Sequence, residues 1–398
     1  MTLEINKINI LIGPQASGKS VTAKLIYFFK LIPNDVLSYI AYKQPELTVL
    51  DLLLTRFNNY FPRSTWPKKG FRIEYISGKG TVTIEKIKEN SKPLILLSES
   101  YLNEIQKADQ EYNDSASSGD STRSNRFQET RQKRLNFFKS FQAAISENTG
   151  FAQYFIPAGR SFLAQVHSKI FTLLNEKQSF DPFLLDFGST YENLMEIGFE
   201  DGELNKDVKT LLEQILKGEL VRKDQKDWIH HSDGRKVSLA KASSGQQEAA
   251  PLLSLLTYLP LLRFENDGAT LFIEEPEAHL FPSAQRHIIR LLARLANDKI
   301  TNFELFITTH SPYILSSFNN LMEAGKIAEE QPEKQKEIEK VVPREEWLNP
   351  ADVNASSIVG GKLTSLIDDE TKLISQNHLD SVSDDLAIDF GKLLDIEY

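Results

Sequence analysis

Near the start of the chain stands Gly13-Pro14-Gln15-Ala16-Ser17-Gly18-Lys19-Ser20, which fits the phosphate-binding pattern G-x-x-x-x-G-K-[ST]. The apolar run Ile5–Ile12 before it predicts a buried strand, and Gly18–Ile32 after it predicts a helix that Pro33 ends. In this context backbone N–H groups and the positive end of the helix point at phosphate oxygens. We expect Lys19 to reach the outer phosphates of a nucleotide and the Ser20 hydroxyl to bind Mg²⁺.

A second acidic motif lies about 255 residues further along the chain, where Ala269–Ile273 predicts another buried strand. It ends in Glu274-Glu275-Pro276-Glu277-Ala278-His279-Leu280. Beside a phosphate loop, we expect Glu274 to hold Mg²⁺ through water and Glu275 to accept a proton from the attacking water as general base. Without that loop, two solvated carboxylates at a strand end would be the simpler interpretation.

Two further segments are candidates for the same site. Ser243-Ser244-Gly245-Gln246 precedes a predicted helix, and Ser-Ser-Gly is also an ordinary helix N-terminus. His310 follows a predicted strand at Glu304–Thr308, although a lone histidine is more often structural. Between Ala242 and Ser317 the order helix, strand, helix, strand, helix predicts an α/β fold with a largely parallel sheet.

Composition narrows the class of protein. The 398 residues include 40% hydrophobic and 25% charged residues, which is typical of a globular protein. The absence of cysteine excludes disulfides, thiolate metal sites and a cysteine nucleophile. No apolar run approaches 18 residues and no secretory signal is visible, so we expect a cytoplasmic protein without a membrane span. The net charge of −9 argues against a protein that coats DNA.

Together and in this order, the motifs resemble the head domain of ABC-type ATPases. The phrases IPAGRS, SSGQQE, EEPEAHLFP and TTHSPYIL are similar to the OLD and RecF-like branch, which includes ATPase subunits of anti-phage systems such as PARIS and Septu. Three positions depart from the usual pattern of ABC heads: Ala242 replaces Leu, Ser244 replaces Gly, and Glu274 replaces Asp.

The resemblance implies ATP and Mg²⁺ as cofactors and a dimer, or a larger homo-oligomer, in which two heads enclose two nucleotides. Ser243, Ser244, Gly245 and Gln246 would then contact the nucleotide held by the other chain, and His310 would contact a γ-phosphate. The turn at Pro276–His279 would lie at the dimer seam. No Q-loop glutamine is clear, although Gln153 lies near a predicted strand.

The same resemblance predicts a domain division. Residues 1–87 and 151–320 would form the head, with β-hairpins at Phe71–Ile87 and Glu219–Val237. Residues 88–150 would form an inserted helical arm with a mobile polar tip near Ser115–Ser121. Residues 321–398 would form a C-terminal α/β appendage.

Three functions compete. The first is an ATP-hydrolysing sensor or scaffold in anti-phage defence, working with a separate effector such as a nuclease or toxin. Because Asp368-Asp369-Glu370 and Asp384-Asp385 lack the Asp-x-Asp of a Toprim nuclease, we expect no nuclease activity in this chain. The second is a DNA-repair ATPase that clamps DNA, for which the arm offers the basic residues Arg123, Arg126, Arg131, Lys133, Arg134 and Lys139. These residues are mixed with acidic ones, so a solvated helix face is the default interpretation. A transporter subunit fits least, because of the long insertion.

Overall fold

The computed structural model describes residues 1–41, 47–89, 91–116, 123–146, 148–166, 181–197, 205–223, 226–262, 268–375, 388–390 and 392–393. The chain divides into two compact units. The first unit comprises Met1–Ser20, Phe155–Leu262 and Leu271–Tyr398, and the second comprises Val21–Tyr154 and Arg263–Thr270.

The main sheet has six strands in the described part of the chain, in the order β12-β11-β1-β10-β9-β5. Their bounds are β1 Ile8–Ile12, β5 Ala152–Ile156, β9 Gly268–Glu274, β10 Asn302–Thr309, β11 Val353–Val359 and β12 Lys362–Ser365. β1 pairs in parallel with both β10 and β11, whereas β12 is antiparallel to β11. The predicted α/β fold with a mostly parallel sheet is therefore confirmed.

Helices connect these strands. They are α5 Ser161–Val166, α6 Pro182–Ile197, α7 Lys206–Leu216, α8 Ser244–Tyr258, α9 Pro282–Ala296, α10 Pro312–Glu330 and α11 Gln335–Glu339. Stacked rings of Phe155, Phe272 and Phe306 fill the core, with centroids 6.1 and 5.5 Å apart. None of the helices in the described ranges combines the length and apolarity needed to cross a membrane.

A small antiparallel sheet precedes Ser243 in the chain. Its strands are β6 Glu219–Lys223, β7 Lys226–His230 and β8 Lys236–Ser238. The hairpin predicted within Glu219–Val237 is present as β7 and β8, with its turn at Ser232–Gly234. β6 adds a third strand that was not predicted, because the chain also reverses between β6 and β7.

The second unit combines helices with a three-stranded sheet. Its elements include most of α1 Lys19–Ala41, together with α2 Val49–Tyr60, β2 Phe71–Ser77, β3 Gly80–Lys86, β4 Leu94–Leu97, α3 Glu99–Ala116 and α4 Arg123–Ala144. The predicted hairpin is confirmed as β2 and β3. An aromatic core includes Phe28 and Phe57, whose rings meet edge to face with centroids 5.6 Å apart.

The prediction that Pro33 ends the first helix was wrong, because α1 continues to Ala41 with Pro33 inside it. An internal proline removes one backbone hydrogen bond and costs roughly 3 kcal/mol. Ile32, Val36 and Ile40 are all buried at 2% exposure or less, on a face that packs into the aromatic core. Burial of this apolar face offsets the cost of the proline.

The division into head, arm and appendage stays a prediction. Within the predicted insertion, α3 and α4 are joined where Ser140 Oγ donates to Glu104 Oε2 at 2.6 Å. β11 comes from the predicted appendage and belongs to the same sheet as β1. Residues 117–122 of the expected tip, and also Asp384 and Asp385, lie outside the described residues.

Candidate nucleotide-binding site

Three loops of the candidate site follow neighbouring strands of the main sheet. The phosphate loop, Gly13–Ser20, follows β1, and the histidine loop, Thr309–Ser311, ends β10 and leads into α10. The acidic turn, Glu274–Leu280, follows β9, and β10 lies between β1 and β9. The carboxyl ends of such strands are where open α/β sheets bind ligands. The structure therefore brings three of the four predicted motifs to one edge of the sheet.

The phosphate loop has a backbone that glycine alone adopts readily. Gly13 has φ 154° and Gly18 has φ 105°. A Cβ on Gly13 would lie 2.3 Å from the main-chain oxygen of Ile358 on β11, so there is no room for a side chain there. Ala16 also has a positive φ, of 60°. Such left-handed residues turn successive N–H groups toward a common centre, which is the arrangement that binds phosphate.

Lys19 is buried, with only 5% of its surface exposed. Its ammonium group donates to the main-chain oxygens of Gly13 and Pro14 at 2.8 and 2.9 Å. Burial lowers the pKa of Lys19, while the charges of Glu275 and Glu277 act in the opposite direction. The acidic turn is therefore close enough to act electrostatically on the lysine of the phosphate loop. Ser20 is exposed at the first turn of α1.

Arg160 supports the end of β9 from inside the protein. This side chain is fully buried and donates to the main-chain oxygens of Glu274 and Glu275 at 2.7 and 3.0 Å. Burial lowers the pKa of Arg160, and the carboxylates around it, beginning with Glu248, counter that effect. Glu274 is itself 6% exposed, and its Oε2 accepts from the N–H of Ala158 at 3.4 Å.

Glu275 and His310 lie side by side, although they come from different strands. His310 Nε2 is 3.3 Å from Glu275 Oε1, and both side chains are about one-third exposed, at 34% and 39%. The backbone of Glu275 has a positive φ of 44°, and its N–H donates to Thr308 at 2.8 Å. A non-glycine residue in this conformation is strained, and such strain is typical of functional sites.

The acidic turn and the histidine loop are also joined by side chains. Glu277 Oε1 accepts from Thr309 Oγ1 and from the N–H of His310, both at 2.7 Å. Further along, Ser311 Oγ donates to Gln285 Oε1 at 2.6 Å, and Gln285 Nε2 donates to Leu280 at 2.9 Å. These bonds hold the two loops in one arrangement.

The signature segment, Ser243–Gln246, begins α8. Ser243 and Gln246 form a capping box, and Gln246 Nε2 also donates to Leu216 at 2.7 Å. Gly245 packs so closely on the acidic turn that a Cβ would lie 2.6 Å from the main-chain oxygen of His279. Ser243 and Ser244 remain exposed. The segment thus abuts the acidic turn of its own chain and presents its hydroxyls to the surface.

Two residues important for this arrangement were not assigned these roles from the sequence. Arg160 belongs to the phrase IPAGRS, and Glu277 lies in the acidic turn, where it is the next candidate for the base after Glu275. An arginine directly after a strand and a Pro-x-Gly turn is a weak signal for a buried brace. Gln153 lies on β5 and donates to the main-chain oxygen of Phe151 at 2.8 Å.

The model of a known sequence family, described as AAA ATPase domain (AAA_15), matches residues 34–315. The chain belongs to the AAA ATPase domain family. The matched range contains the signature segment, the acidic turn and His310, and it begins after the phosphate loop. Membership of the AAA ATPase domain family implies that the chain binds ATP. No curated protein matches the chain.

Among solved structures, this AAA ATPase domain protein is similar to the SMC head domain from Thermotoga maritima, at 12% identity over 91% of each chain and a TM-score of 0.33. It is similar to an SmcHead bound to the C-winged helix domain of ScpA, at 13% identity over 92% of this chain and 91% of the other, with a TM-score of 0.38. A third is the Smc head domain with an extended coiled coil bound to the C-terminal domain of ScpA from Pyrococcus furiosus, at 10% identity over 97% and 94% and a TM-score of 0.35. We draw no functional conclusion from likenesses of this size.

Proposed function

We propose that this chain is a Mg²⁺-dependent ATPase with an ABC-type head, and that it acts as a nucleotide-driven sensor or scaffold in a bacterial anti-phage complex with a separate effector. One observation supports the ATPase activity most directly. The phosphate loop, Glu275 and His310 lie at the same edge of the sheet, with 3.3 Å between the side chains of Glu275 and His310. AAA ATPase domain membership supports the same activity.

The residues at this edge suit a triphosphate. Gly13 and Gly18 have the positive φ values that a phosphate-binding loop needs, and Lys19 supplies a buried cation. Glu275 has an exposed carboxylate that can accept a proton from water, and the neighbouring imidazole of His310 can stabilise it or contact phosphate. Ser20 and Glu274 supply the oxygen ligands that Mg²⁺ prefers, and the ion would neutralise phosphate charge.

The position of the signature segment supports a nucleotide site that is shared by two chains. Ser243 and Ser244 are exposed at the start of α8, where the hydroxyls and the positive helix end can meet an anion brought by another molecule. We propose that this anion is the nucleotide bound to the phosphate loop of a second copy. A two-fold dimer then contains two equivalent sites.

Mixing two inactive variants tests this arrangement. Lys19→Ala damages the phosphate loop, and Ser244→Arg damages the signature segment. In a mixed dimer one site carries both defects and the other carries neither, so we expect activity to return, to at most about half per mixed dimer if the sites are independent. Mixed dimers that form with ATP and show no recovery would refute the two-chain site. A monomer with full activity at every dilution would refute it as well.

The defence role rests on the resemblance of EEPEAHLFP and TTHSPYIL to that branch of ATPases. We propose that the effector is encoded nearby. Bacteria carrying this gene with its neighbouring genes should resist phage, and the same locus with Lys19→Ala should not. Equal plaque counts for both loci against a broad panel of phages would contradict the role.

A DNA-clamping repair ATPase is the alternative function. One observation favours it: Arg131, Arg134 and Lys139 are exposed on α4. The side chains of Arg123 and Arg126 lie outside the described residues, and Lys133 is half-buried. Salt-dependent binding to duplex DNA that falls when these three exposed residues are changed to Gln would favour this alternative.

A further inference from the structure

One oxygen atom of Glu277 receives two hydrogen bonds from the histidine loop. Thr309 Oγ1 and the N–H of His310 both donate to Oε1 at 2.7 Å. The Thr309 hydroxyl in turn accepts from the N–H of Ser311 at 3.0 Å. A single carboxylate from the acidic turn therefore holds the whole histidine loop, Thr309–Ser311, in place.

This contact holds the main chain of His310 in place. The N–H of His310 lies at the point where β10 ends, and Glu277 supplies its acceptor. From that backbone position the imidazole extends to 3.3 Å from Glu275 Oε1. Glu275 is held separately, by its own N–H bond to Thr308 at 2.8 Å. The distance between the two side chains thus depends on Glu277.

The hydrogen bonding and burial of the two carboxylate oxygens of Glu277 argue against a role for Glu277 as the general base. Oε1 already accepts two short bonds, and Oε2 is buried and accepts no hydrogen bond from the described residues. Neither oxygen is placed to take a proton from water. Glu275, in contrast, has a side chain that is 39% exposed.

A carboxylate anion can accept two short hydrogen bonds on one oxygen atom, because charge-assisted hydrogen bonds are shorter and about twice as strong as neutral ones. The charge of Glu277 is balanced within the site, since it interacts electrostatically with both Lys19 and Arg160.

We propose that Glu277 is a positioning residue, which holds the main chain of His310 so that the imidazole stays beside Glu275. The inference rests on the proposed ATPase function, and it assigns different roles in that function to Glu275 and Glu277. Glu275 acts on water, and Glu277 acts on the reaction through His310.

A double-mutant cycle tests the proposal. Glu277→Leu removes the acceptor, Glu277→Gln keeps an oxygen in the same place, and His310→Ala removes the side chain that Glu277 positions. We expect Glu277→Leu to lower kcat by about 10- to 100-fold with little change in KM, as for a general acid–base or positioning defect. Glu277→Gln should retain activity within about fivefold, because its amide oxygen still accepts both bonds. In the His310→Ala background, Glu277→Leu should have no further effect.

Other outcomes would overturn the proposal. Multiplicative effects of Glu277→Leu and His310→Ala would show that Glu277 does not act through His310. A Glu277→Gln variant as inactive as Glu275→Gln would make Glu277 part of the proton transfer. If Glu277→Leu melts below the assay temperature, Thr309→Val takes its place in the cycle, because it removes one of the two donors. If the unaltered chain hydrolyses no ATP, the proposed function itself fails and the inference fails with it, whereas an active chain with multiplicative effects refutes the inference alone.

Discussion

The guanidinium group of Arg160 donates to the main-chain oxygen of Glu248 at 3.1 Å, and its Nε lies 3.6 Å from the Glu248 carboxylate. Glu248 is in the second turn of α8, whose first residues are the signature segment. The same guanidinium group supports Glu274 and Glu275. A buried ion pair thus connects the helix that carries the signature segment with the end of the strand that carries the proposed base.

Glu248→Gln tests the importance of this pair for stability. The substitution keeps the size of the side chain but leaves the buried charge of Arg160 less well compensated, so we expect a destabilisation of roughly 1–3 kcal/mol. Thermal or urea unfolding would measure it. Asp233→Asn is the control, since Asp233 forms an exposed pair with Arg235 in the same unit and its replacement should leave the melting temperature unchanged. Equal melting temperatures for both variants would show that the buried pair contributes nothing.

Lys19→Ala should abolish tight ATP binding, because the phosphate loop loses its buried cation. Titration calorimetry with ATP and Mg²⁺ measures the affinity directly. Lys7→Ala, a change in the same unit outside the loop, serves as the control and should bind normally. An unchanged affinity in the Lys19 variant would mean that the loop is not the nucleotide site.

Glu275→Gln should bind ATP but hydrolyse it roughly 10²–10⁴ times more slowly, because an amide cannot accept the proton from water. We also expect the variant to accumulate as a nucleotide-bound dimer or larger assembly, which size-exclusion chromatography with light scattering would detect. Glu330→Gln, exposed at the end of α10, should hydrolyse ATP at the normal rate. Normal turnover by the Glu275 variant would place the base elsewhere.

Gly13→Ala should disrupt the phosphate loop even though the substitution adds only one methyl group. The new Cβ would have to occupy space 2.3 Å from the main-chain oxygen of Ile358, and φ 154° disfavours an L-residue. We expect loss of ATP binding together with a lower melting temperature. Gly159→Ala is the matched control, because a Cβ there meets no atom of the described residues within 4 Å. If both variants bind ATP equally, β11 does not pack against the loop in solution.

The purified chain should not cut DNA in the presence of Mg²⁺ or Mn²⁺. Asp368 Oδ1 accepts hydrogen bonds from the N–H groups of Glu370 and Thr371 and from the Thr371 hydroxyl, so this oxygen stabilises a turn. These backbone bonds lower the pKa of Asp368. Plasmid cleavage that survives purification and disappears in Asp368→Ala would show that the C-terminal segment holds a catalytic metal.

Local patterns predicted β1, β9, β10, the hairpin of β2 and β3, and the loop residues, since each depends on neighbours in sequence. The position of β11 beside β1 could not be predicted in this way, because the pairing of Ile8 with Val353 joins distant parts of the chain. The continuation of α1 through Pro33 likewise depends on buried contacts of Ile32 and Val36. Within the candidate site, Glu275 was predicted from its motif, whereas the role of Glu277 became visible only from its bonds to Thr309 and His310.

The pairing of β1 with β11 has a consequence for how the protein is made. Val353 follows Ile8 by 345 residues, so β11 is translated long after the phosphate loop. At a synthesis rate of about 5–20 residues per second, that separation corresponds to roughly 20–70 s. For most of this time β1 lacks both of its neighbouring strands, because β10 begins only at Asn302, so the nascent chain carries unpaired strand edges next to an unfinished nucleotide loop. ATP can therefore stabilise the loop in its final form only after β11 has been translated.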